Sequence, residues 1–149
     1  MTSSNHTDSE GSGEALDEAT VERLLDQAEL ASGHAYAPYS KLSVGAALLM
    51  PDGNVVLGCN VENASYGLTM CAERNAIFRA VAEYGHEAKP TALAVAAPGT
   101  PIAPCGACRQ VAYESNPDML VVFRSEERGL ERISARDLLP HGFTFEPSP

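Results

Sequence analysis

Apolar residues recur in several segments of the chain with the helical spacing of three and four positions. From Thr20 onward this spacing predicts a first helix. Its buried face consists of Val21, Leu24, Leu25, Ala28 and Ala31. Good helix formers predict a second helix over residues 72–83, and a third is predicted over residues 105–114, directly behind Pro104. A short fourth helix is predicted to begin near Ser134.

Compact apolar runs between these helices predict strands. The runs cover residues 44–50, 55–59, 91–97 and 119–123. Residues 51–54 read Pro-Asp-Gly-Asn, which is turn chemistry, so the first two runs are predicted to form a hairpin. Strands that alternate with helices are typical of an α/β protein, here a three-layer α/β/α sandwich around a mixed sheet.

The start of the chain differs in composition from the rest. Residues 1–17 are rich in Ser, Gly, Thr and acidic residues, too polar to offset the entropy of ordering by burial, so we predict a disordered acidic tail there. Residues 18–149 are then one domain. This division suits a chain of 149 residues, of which 44% are hydrophobic.

The charge balance excludes some classes of partner. The chain has 20 acidic and 10 basic residues, a net charge of −10, and such a surface repels long nucleic acids and anionic lipids. No apolar run reaches the roughly 18 residues of a membrane span, and the polar start carries no secretion signal. We therefore expect a cytoplasmic protein whose four cysteines stay reduced.

Three cysteines lie where helices are predicted to begin, in the segments Cys-Ala-Glu at 71–73 and Pro-Cys-Gly-Ala-Cys at 104–108. A helix N-terminus stabilises a thiolate, which is the form that binds metal. Cys105 and Cys108 are three residues apart and so project from one helix face. Together with Cys71 they suit Zn²⁺, with the fourth tetrahedral position left to water.

Glu73 follows Cys71 by two residues, and a purely structural zinc site has no use for a carboxylate there. Zinc lowers the pKa of a bound water to about 7, and a glutamate can move the released proton. The pattern predicts hydrolysis with Glu73 as the catalytic residue. Two other interpretations stay open: Cys105 and Cys108 could be a redox pair, and Cys59 could complete a closed site of four thiolates.

Five motifs in order resemble those of the small zinc-dependent cytidine deaminases. They are Tyr-Ala-Pro-Tyr-Ser at 36–40, Val-Gly-Ala-Ala at 44–47, Gly-Cys-Asn-Val-Glu-Asn at 58–63, Cys-Ala-Glu-Arg at 71–74 and Pro-Cys-Gly-Ala-Cys-Arg-Gln at 104–110. The likeness runs from about residue 28 to residue 143. It implies a cytidine deaminase-like fold with a mixed sheet of about five strands, and Zn²⁺ bound by Cys71, Cys105 and Cys108.

The resemblance also implies the reaction and the roles of several residues. In this family a zinc-bound hydroxide attacks free cytidine or deoxycytidine, while a glutamate, here Glu73, transfers the protons. Ammonia leaves, and the uridine or deoxyuridine that forms enters pyrimidine salvage. Asn60 and Glu62 would bind the ribose 3′-hydroxyl, where a carboxylate disfavours a phosphate. Arg74 would hydrogen-bond the cysteine ligands and offset the charge of three thiolates on Zn²⁺.

Further substrate contacts are implied for Leu42, Ala72 and Phe143. Many relatives have Phe-Pro where Leu42-Ser43 stands here, so an aliphatic face replaces the aromatic one expected against the pyrimidine. Segment 138–143 resembles a terminal segment whose aromatic residue enters a neighbouring subunit's site. The resemblance therefore implies a homotetramer with sites completed by neighbouring chains.

Rival functions remain at this point. A related zinc deaminase acting on another base, or on a nucleoside antibiotic such as blasticidin S, would share the zinc site. Glu62 counts against the antibiotic branch, and Cys71 counts against base deaminases whose first ligand is histidine. A non-catalytic zinc-stabilised interaction module would need four protein ligands instead of three. Arg109 and Gln110 could belong to the site or be solvated helix residues.

Overall fold

The computed structural model describes residues 15–145. Within them the helices are α1 (Glu18–Ser32), α2 (Ala72–Tyr84), α3 (Gly106–Ser115) and α4 (Ala135–Leu138), with a 3-10 turn over Tyr66–Leu68. The strands are β1 (Gly45–Leu49), β2 (Val55–Cys59), β3 (Ala92–Ala96), β4 (Leu120–Ser125) and β5 (Gly129–Ser134). Each predicted element is present within about two residues of its predicted bounds. In this part of the chain no helix has the length and apolar character needed to cross a bilayer.

The strands form one mixed sheet of five strands in the order β2-β1-β3-β4-β5. Strands β3 and β4 are parallel, and the other neighbouring pairs are antiparallel. Parallel neighbours need a crossover connection, which α3 supplies between β3 and β4. The predicted mixed sheet is confirmed.

Two apolar clusters lie on opposite faces of the sheet and make three layers. On one face α1 packs against alternate residues of the strands: Val21, Leu24, Leu25 and Ala28 meet Ala47, Leu49, Ala92, Ala94 and Val122. On the other face α2, α3 and α4 pack against the intervening strand residues, which include Ala46, Leu48, Leu93 and Val121. Because helices cover both faces, all of β1 is buried and its sequence is a continuous run of small and apolar residues. The predicted α/β/α sandwich is thereby confirmed.

The apolar pattern did not predict β5. Its sequence, Gly-Leu-Glu-Arg-Ile-Ser, contains two large apolar residues, Leu130 and Ile133, which pack on opposite faces of the sheet. An edge strand bonds a single neighbour, here β4, and tolerates charged positions such as Glu131 and Arg132. The other strands were predicted from uninterrupted apolar runs, and these charges leave β5 without one.

Contacts with the domain extend to the residues just before the predicted boundary between tail and domain at residues 17 and 18. Leu16 packs against the α1 cluster, and the Asp17 carboxylate accepts a hydrogen bond from the Thr20 N–H at 2.7 Å, so that Asp17 is the N-cap of α1. Residues 1–14 of the predicted tail lie outside the described residues.

The strand register places the ends of three chain segments together. Gly45, the first residue of β1, pairs with Cys59 at the end of β2 and with Ala96 at the end of β3. The loops before β1, after β2 and after β3 therefore leave the sheet at one end. Those loops carry the motifs at 36–40, 58–63, 71–74 and 104–110.

Gly58 allows the close approach of β2 and α2 on which this end of the molecule depends. A Cβ atom at Gly58 would lie 2.5 Å from the Ala72 carbonyl oxygen and 2.6 Å from the Ala76 nitrogen. Both neighbours are backbone atoms of α2 and can yield only if the helix moves. The absence of a side chain at residue 58 thus sets the position of the helix that starts after Cys71.

We expect Gly58→Ala to lower the free energy of unfolding by about 1–3 kcal/mol or more, because overpacking displaces backbone. Urea unfolding followed by circular dichroism measures this change. Gly67→Ala is the matched control, since a Cβ atom there meets nothing within 4 Å. Equal stability of the two variants would contradict the packing argument.

Candidate metal centre and active site

The loop after β2 lies directly beside the start of α2. Val61 and Met70 form an antiparallel bridge, with Val61 N donating to Met70 O at 3.0 Å and Met70 N donating to Val61 O at 2.9 Å. The Asn75 side chain, in α2, donates to the Cys59 carbonyl at 2.8 Å. These bonds hold the segment that carries Asn60 and Glu62 beside the start of α2, where Cys71 lies.

Three thiols converge where α2 and α3 begin. Cys71 and Cys105 are the N-caps of the two helices, and Cys108 lies one turn into α3. The three Sγ atoms lie within 4.8 Å of one another, and the Sγ atoms of Cys71 and Cys105 are 3.9 Å apart. Two thiolates on one tetrahedral zinc, with Zn–S bonds of about 2.3 Å, stand about 3.8 Å apart. The predicted ligands are thus placed together at a spacing that fits this ion.

The three thiols differ in what surrounds them. A hydrogen bond with Cys108 and the Arg74 guanidinium, whose Nη2 lies 3.3 Å from the Cys71 Sγ atom, hold the pKa of Cys71 well below its usual range. The same hydrogen bond, together with burial, raises the pKa of Cys108, which is 1% exposed. The helix N-terminus and Arg74 therefore favour the thiolate form of Cys71.

Glu73 lies in the first turn of α2 and is 4% exposed. Burial raises the pKa of its carboxyl group, and the nearby Cys71 charge acts in the same direction. A carboxyl group whose pKa moves toward neutrality can both accept and return a proton. The structure thus places a buried acid–base group two residues from Cys71.

Asn60 and Glu62 hold the loop that precedes β1. The Asn60 side chain accepts a hydrogen bond from Val44 N and donates one to Leu42 O, each at 2.8 Å. The Glu62 carboxylate accepts from Tyr39 N at 2.9 Å, from Ser40 N at 3.2 Å and from the Ser40 hydroxyl. The two predicted sugar-binding residues therefore order residues 39–44.

The remaining predicted substrate residues differ in exposure. Leu42 is 36% exposed at the end of the loop held by Asn60, and Ala72 is fully buried beside Cys71. Phe143 is 61% exposed; Gln110 donates to its carbonyl oxygen at 2.9 Å, and its ring stacks edge-on against Phe145. Most of the Phe143 surface is thus left exposed by its own chain.

Cys59 is not part of the thiol cluster. Among residues 15–145, the group of three or more metal-ligating side chains that converges is Cys71, Cys105 and Cys108. Burial raises the pKa of Cys59, which favours its neutral thiol. Three ligands and a buried carboxylate agree with a catalytic centre better than with a closed structural site or an isolated redox pair.

Comparisons with known proteins identify the family. Residues 18–124 match the family described as the cytidine and deoxycytidylate deaminase zinc-binding region. The chain belongs to this deaminase family. The matched region contains Cys71, Cys105, Cys108 and Glu73, and the thiol cluster is the group within the described residues that fits zinc. Zn²⁺ is therefore the cofactor of this deaminase.

Relatives of similar length support the assignment. A cytidine deaminase of Halalkalibacterium halodurans is 48% identical over 124 residues, which cover 83% of this chain and 93% of the relative. The crystal structure of a cytidine deaminase from Burkholderia pseudomallei has a TM-score of 0.75 and 48% identity, covering 82% of this chain and 98% of that one. The structure of cytidine deaminase from Mycobacterium tuberculosis has a TM-score of 0.71 at 40% identity, with 83% and 97% covered.

Sequence reasoning missed several residues that build this deaminase site. It treated Ser40 as part of a motif without a role, although its hydroxyl and N–H bind Glu62. It did not single out Asn75, which fastens α2 to β2. It left Arg109 undecided, and the structure shows its guanidinium bonded to two carbonyl groups. The positions of Ser40 and Arg109 inside motifs were the available signals.

The three bonds to Glu62 make the order of its loop depend on pH. The Ser40 hydroxyl, followed by the Tyr39 and Ser40 N–H groups, lowers the pKa of Glu62. A carboxyl group whose pKa is lower in the folded state contributes stability above its unfolded pKa, about 4.3, and loses it as the pH falls through the folded value. We therefore expect the parent to exceed Glu62→Gln in stability at neutral pH, with a difference that shrinks below about pH 4.

Urea unfolding at several pH values between neutral and acidic measures the difference in free energy of unfolding between the parent and Glu62→Gln. Effects of acid that are common to the two proteins cancel in that difference. Glu127→Gln, which alters an exposed carboxylate in the turn between β4 and β5, is the control and should show no such trend. A difference for Glu62→Gln that stays constant or grows with acidity would refute the role of the ionised carboxylate.

Proposed function

We propose that this deaminase hydrolyses the 4-amino group of free cytidine and deoxycytidine, giving uridine or deoxyuridine and ammonia. The observation that carries the proposal is the buried Glu73 carboxyl group beside three convergent thiols, an acid–base group next to a zinc site with three protein ligands. The named relatives are cytidine deaminases and have nearly the same length as this domain.

Cys71, Cys105 and Cys108 would hold the zinc ion as thiolates. Zinc bound to three protein ligands acidifies a water molecule and so supplies the nucleophile for hydrolysis near neutral pH. The helix N-termini at Cys71 and Cys105 favour the thiolate forms that this requires.

Glu73 would carry the protons of the reaction on its carboxylate oxygens. It takes a proton from water and delivers one to N3 of the pyrimidine ring, which makes the carbon of the amino group more electrophilic. It then takes the second proton, from the hydroxyl group now on that carbon, and passes it to the amino group. The oxygen becomes the carbonyl oxygen of uridine as the carbon–nitrogen bond breaks, and ammonia leaves as a neutral molecule. Burial suits this role because the raised pKa of Glu73 brings its protonated and ionised forms closer in free energy.

Arg74 would limit the negative charge at the centre. Three thiolates on a divalent cation leave a net charge of −1, which opposes acidification of water. The Arg74 guanidinium donates a hydrogen bond to the Cys71 sulfur at 3.3 Å and so withdraws negative charge from that ligand.

The sugar would lie against Asn60 and Glu62. Each oxygen of the Glu62 carboxylate has more than one acceptor position, so hydrogen bonds to the 39–40 backbone leave capacity for a ribose hydroxyl. The Glu62 charge opposes a phosphate at that place, which favours free nucleosides over nucleotides. Leu42 and Ala72 would contact the pyrimidine, and Leu42 offers it an aliphatic face.

We also propose a homotetramer in which the Phe143 ring enters the site of a neighbouring chain. The ring is exposed on its own chain while its backbone is fastened to Gln110, so it projects from a fixed base. We propose further that the enzyme works in the cytoplasm and serves pyrimidine salvage. The need for three reduced thiols supports this location, because the cytoplasm is reducing.

Loss of the cytidine absorbance on deamination tests the function directly. The zinc-loaded protein should convert cytidine and deoxycytidine, and should act far more slowly on CMP and blasticidin S. Removal of zinc with a chelator should abolish the activity, and zinc should restore it. Preference for CMP or for the antibiotic would establish the rival substrate class, and absence of turnover would favour the interaction module.

Glu73→Gln separates catalysis from structure within this assay. The variant keeps the size of the side chain and the three thiols, so zinc content and folding should match the parent. We expect kcat to fall by about 10⁴-fold with little change in substrate affinity, because the lost interaction operates during proton transfer. Glu83→Gln, an exposed position of the same helix, is the control. A Glu73→Gln protein with zinc and kcat within tenfold of the parent would exclude the assigned role.

Mixing two inactive proteins tests completion of the site by a neighbour. We expect Phe143→Ala to lose much of its activity, as Glu73→Gln does. Hybrids of the two contain sites with Glu73 from one chain and Phe143 from the other, and random mixing should restore roughly a quarter of the parental sites. Light scattering should give the mass of four chains. If the hybrids stay as inactive as their components, Phe143 acts within its own chain or not at all.

A further inference from the structure

Arg109, in the first part of α3, donates hydrogen bonds to two carbonyl groups that are far from one another in the sequence. Its Nε atom lies 2.9 Å from the Pro104 carbonyl oxygen, and its Nη1 atom lies 3.2 Å from the Leu138 carbonyl oxygen. Pro104 and Leu138 are both buried. Arg109 therefore joins the residue before the first cysteine of α3 to the end of α4.

Cys105 depends on its backbone for its position more than the other two thiols do. Cys108 is held by surrounding core residues at 1% exposure, and Cys71 is held by the Arg74 guanidinium. Cys105 is exposed, and its sulfur has the Cys71 sulfur as its neighbour at 3.9 Å. Packing therefore does little to select the direction of its side chain.

The bond to the Pro104 carbonyl orients the peptide plane that leads into Cys105. In a trans peptide the carbonyl and the following N–H point to opposite sides of the chain, so fixing one fixes the other. Earlier in the same loop, Ile102 N donates to Arg124 O at 2.8 Å and fastens the loop to β4. The Ile102 and Arg109 bonds together hold the segment from which the Cys105 side chain projects.

We propose that Arg109 is a positioning residue for Cys105, which keeps this thiol at its place in the cluster and ties the metal centre to the C-terminal segment through Leu138. The inference rests on the proposed function in that Cys105 is taken as a zinc ligand. The role of Arg109 differs from that of Arg74, because Arg109 donates to backbone oxygens and Arg74 donates to sulfur.

The rate of zinc loss tests this role without substrate. Zinc-loaded Arg109→Ala, mixed with an excess of a colorimetric chelator, should release zinc about tenfold or more faster than the parent, as is usual when a group that orients a ligand is removed. Arg109→Lys keeps one charged donor but cannot bond both carbonyl groups, so its rate should lie between the two. Cobalt-loaded Arg109→Ala should also show an altered sulfur-to-cobalt charge-transfer band.

Gln110→Ala is the matched control, because Gln110 fastens the C-terminal segment at Phe143 and makes no bond to Pro104. It should release zinc within about twofold of the parent and keep the parental cobalt spectrum. Equal zinc-loss rates for Arg109→Ala and Gln110→Ala, whether both slow or both fast, would overturn the proposal. If Arg109→Ala does not fold, the comparison of Arg109→Lys with Gln110→Ala decides in the same way. Turnover of cytidine by the parent is measured separately, so failure of the proposed function remains distinguishable.

Discussion

The convergence of three sulfur atoms within 4.8 Å is the constraint on which the rest of the site depends. Thiolates repel one another at this distance, so each must be stabilised by its surroundings or by a shared cation. The chain supplies two helix N-termini and one guanidinium, from α2, α3 and Arg74. A divalent cation supplies the remaining positive charge. Two helix N-termini and a guanidinium therefore lie beside these sulfurs, although the chain as a whole has a net charge of −10.

The fold meets this constraint through strand register and small residues. Gly45 pairs with the last residues of β2 and β3, and this pairing brings loops from three parts of the chain to one end of the sheet. Gly45 and Gly58 also allow the helices to approach closely, since a Cβ atom at either residue would overlap backbone of α1 or α2. The backbone thus sets where α1 and α2 lie against the sheet, and side chains such as Arg74 and Arg109 act on the thiols within that frame.

Sequence reasoning recovered the features that depend on local patterns. Cysteines at helix starts, their spacing and the nearby Glu73 are visible within a few residues. Apolar spacing, helix-forming residues and start signals located the four α-helices, and apolar runs located four of the five strands. It missed β5, since Glu131 and Arg132 interrupt its apolar run at the edge of the sheet. It could not find the bonds of Asn60 and Glu62 to the loop before β1, because these join residues 16 to 23 positions apart and follow from packing.

The hydrogen bonds of Glu62 have a further consequence for how the site recognises its ligand. The carboxylate that would meet the sugar also fixes residues 39 and 40, and Asn60 likewise fixes Leu42 and Val44. A ligand that binds these side chains therefore meets groups whose directions are already determined by the loop, which lowers the entropy cost of binding. The same arrangement couples specificity to loop order, because a substitution at Glu62 or Asn60 changes the ligand contact and the loop together. Replacing the loop residue Ser40 by Ala removes one bond to Glu62 while leaving the carboxylate in place, and so separates the two contributions.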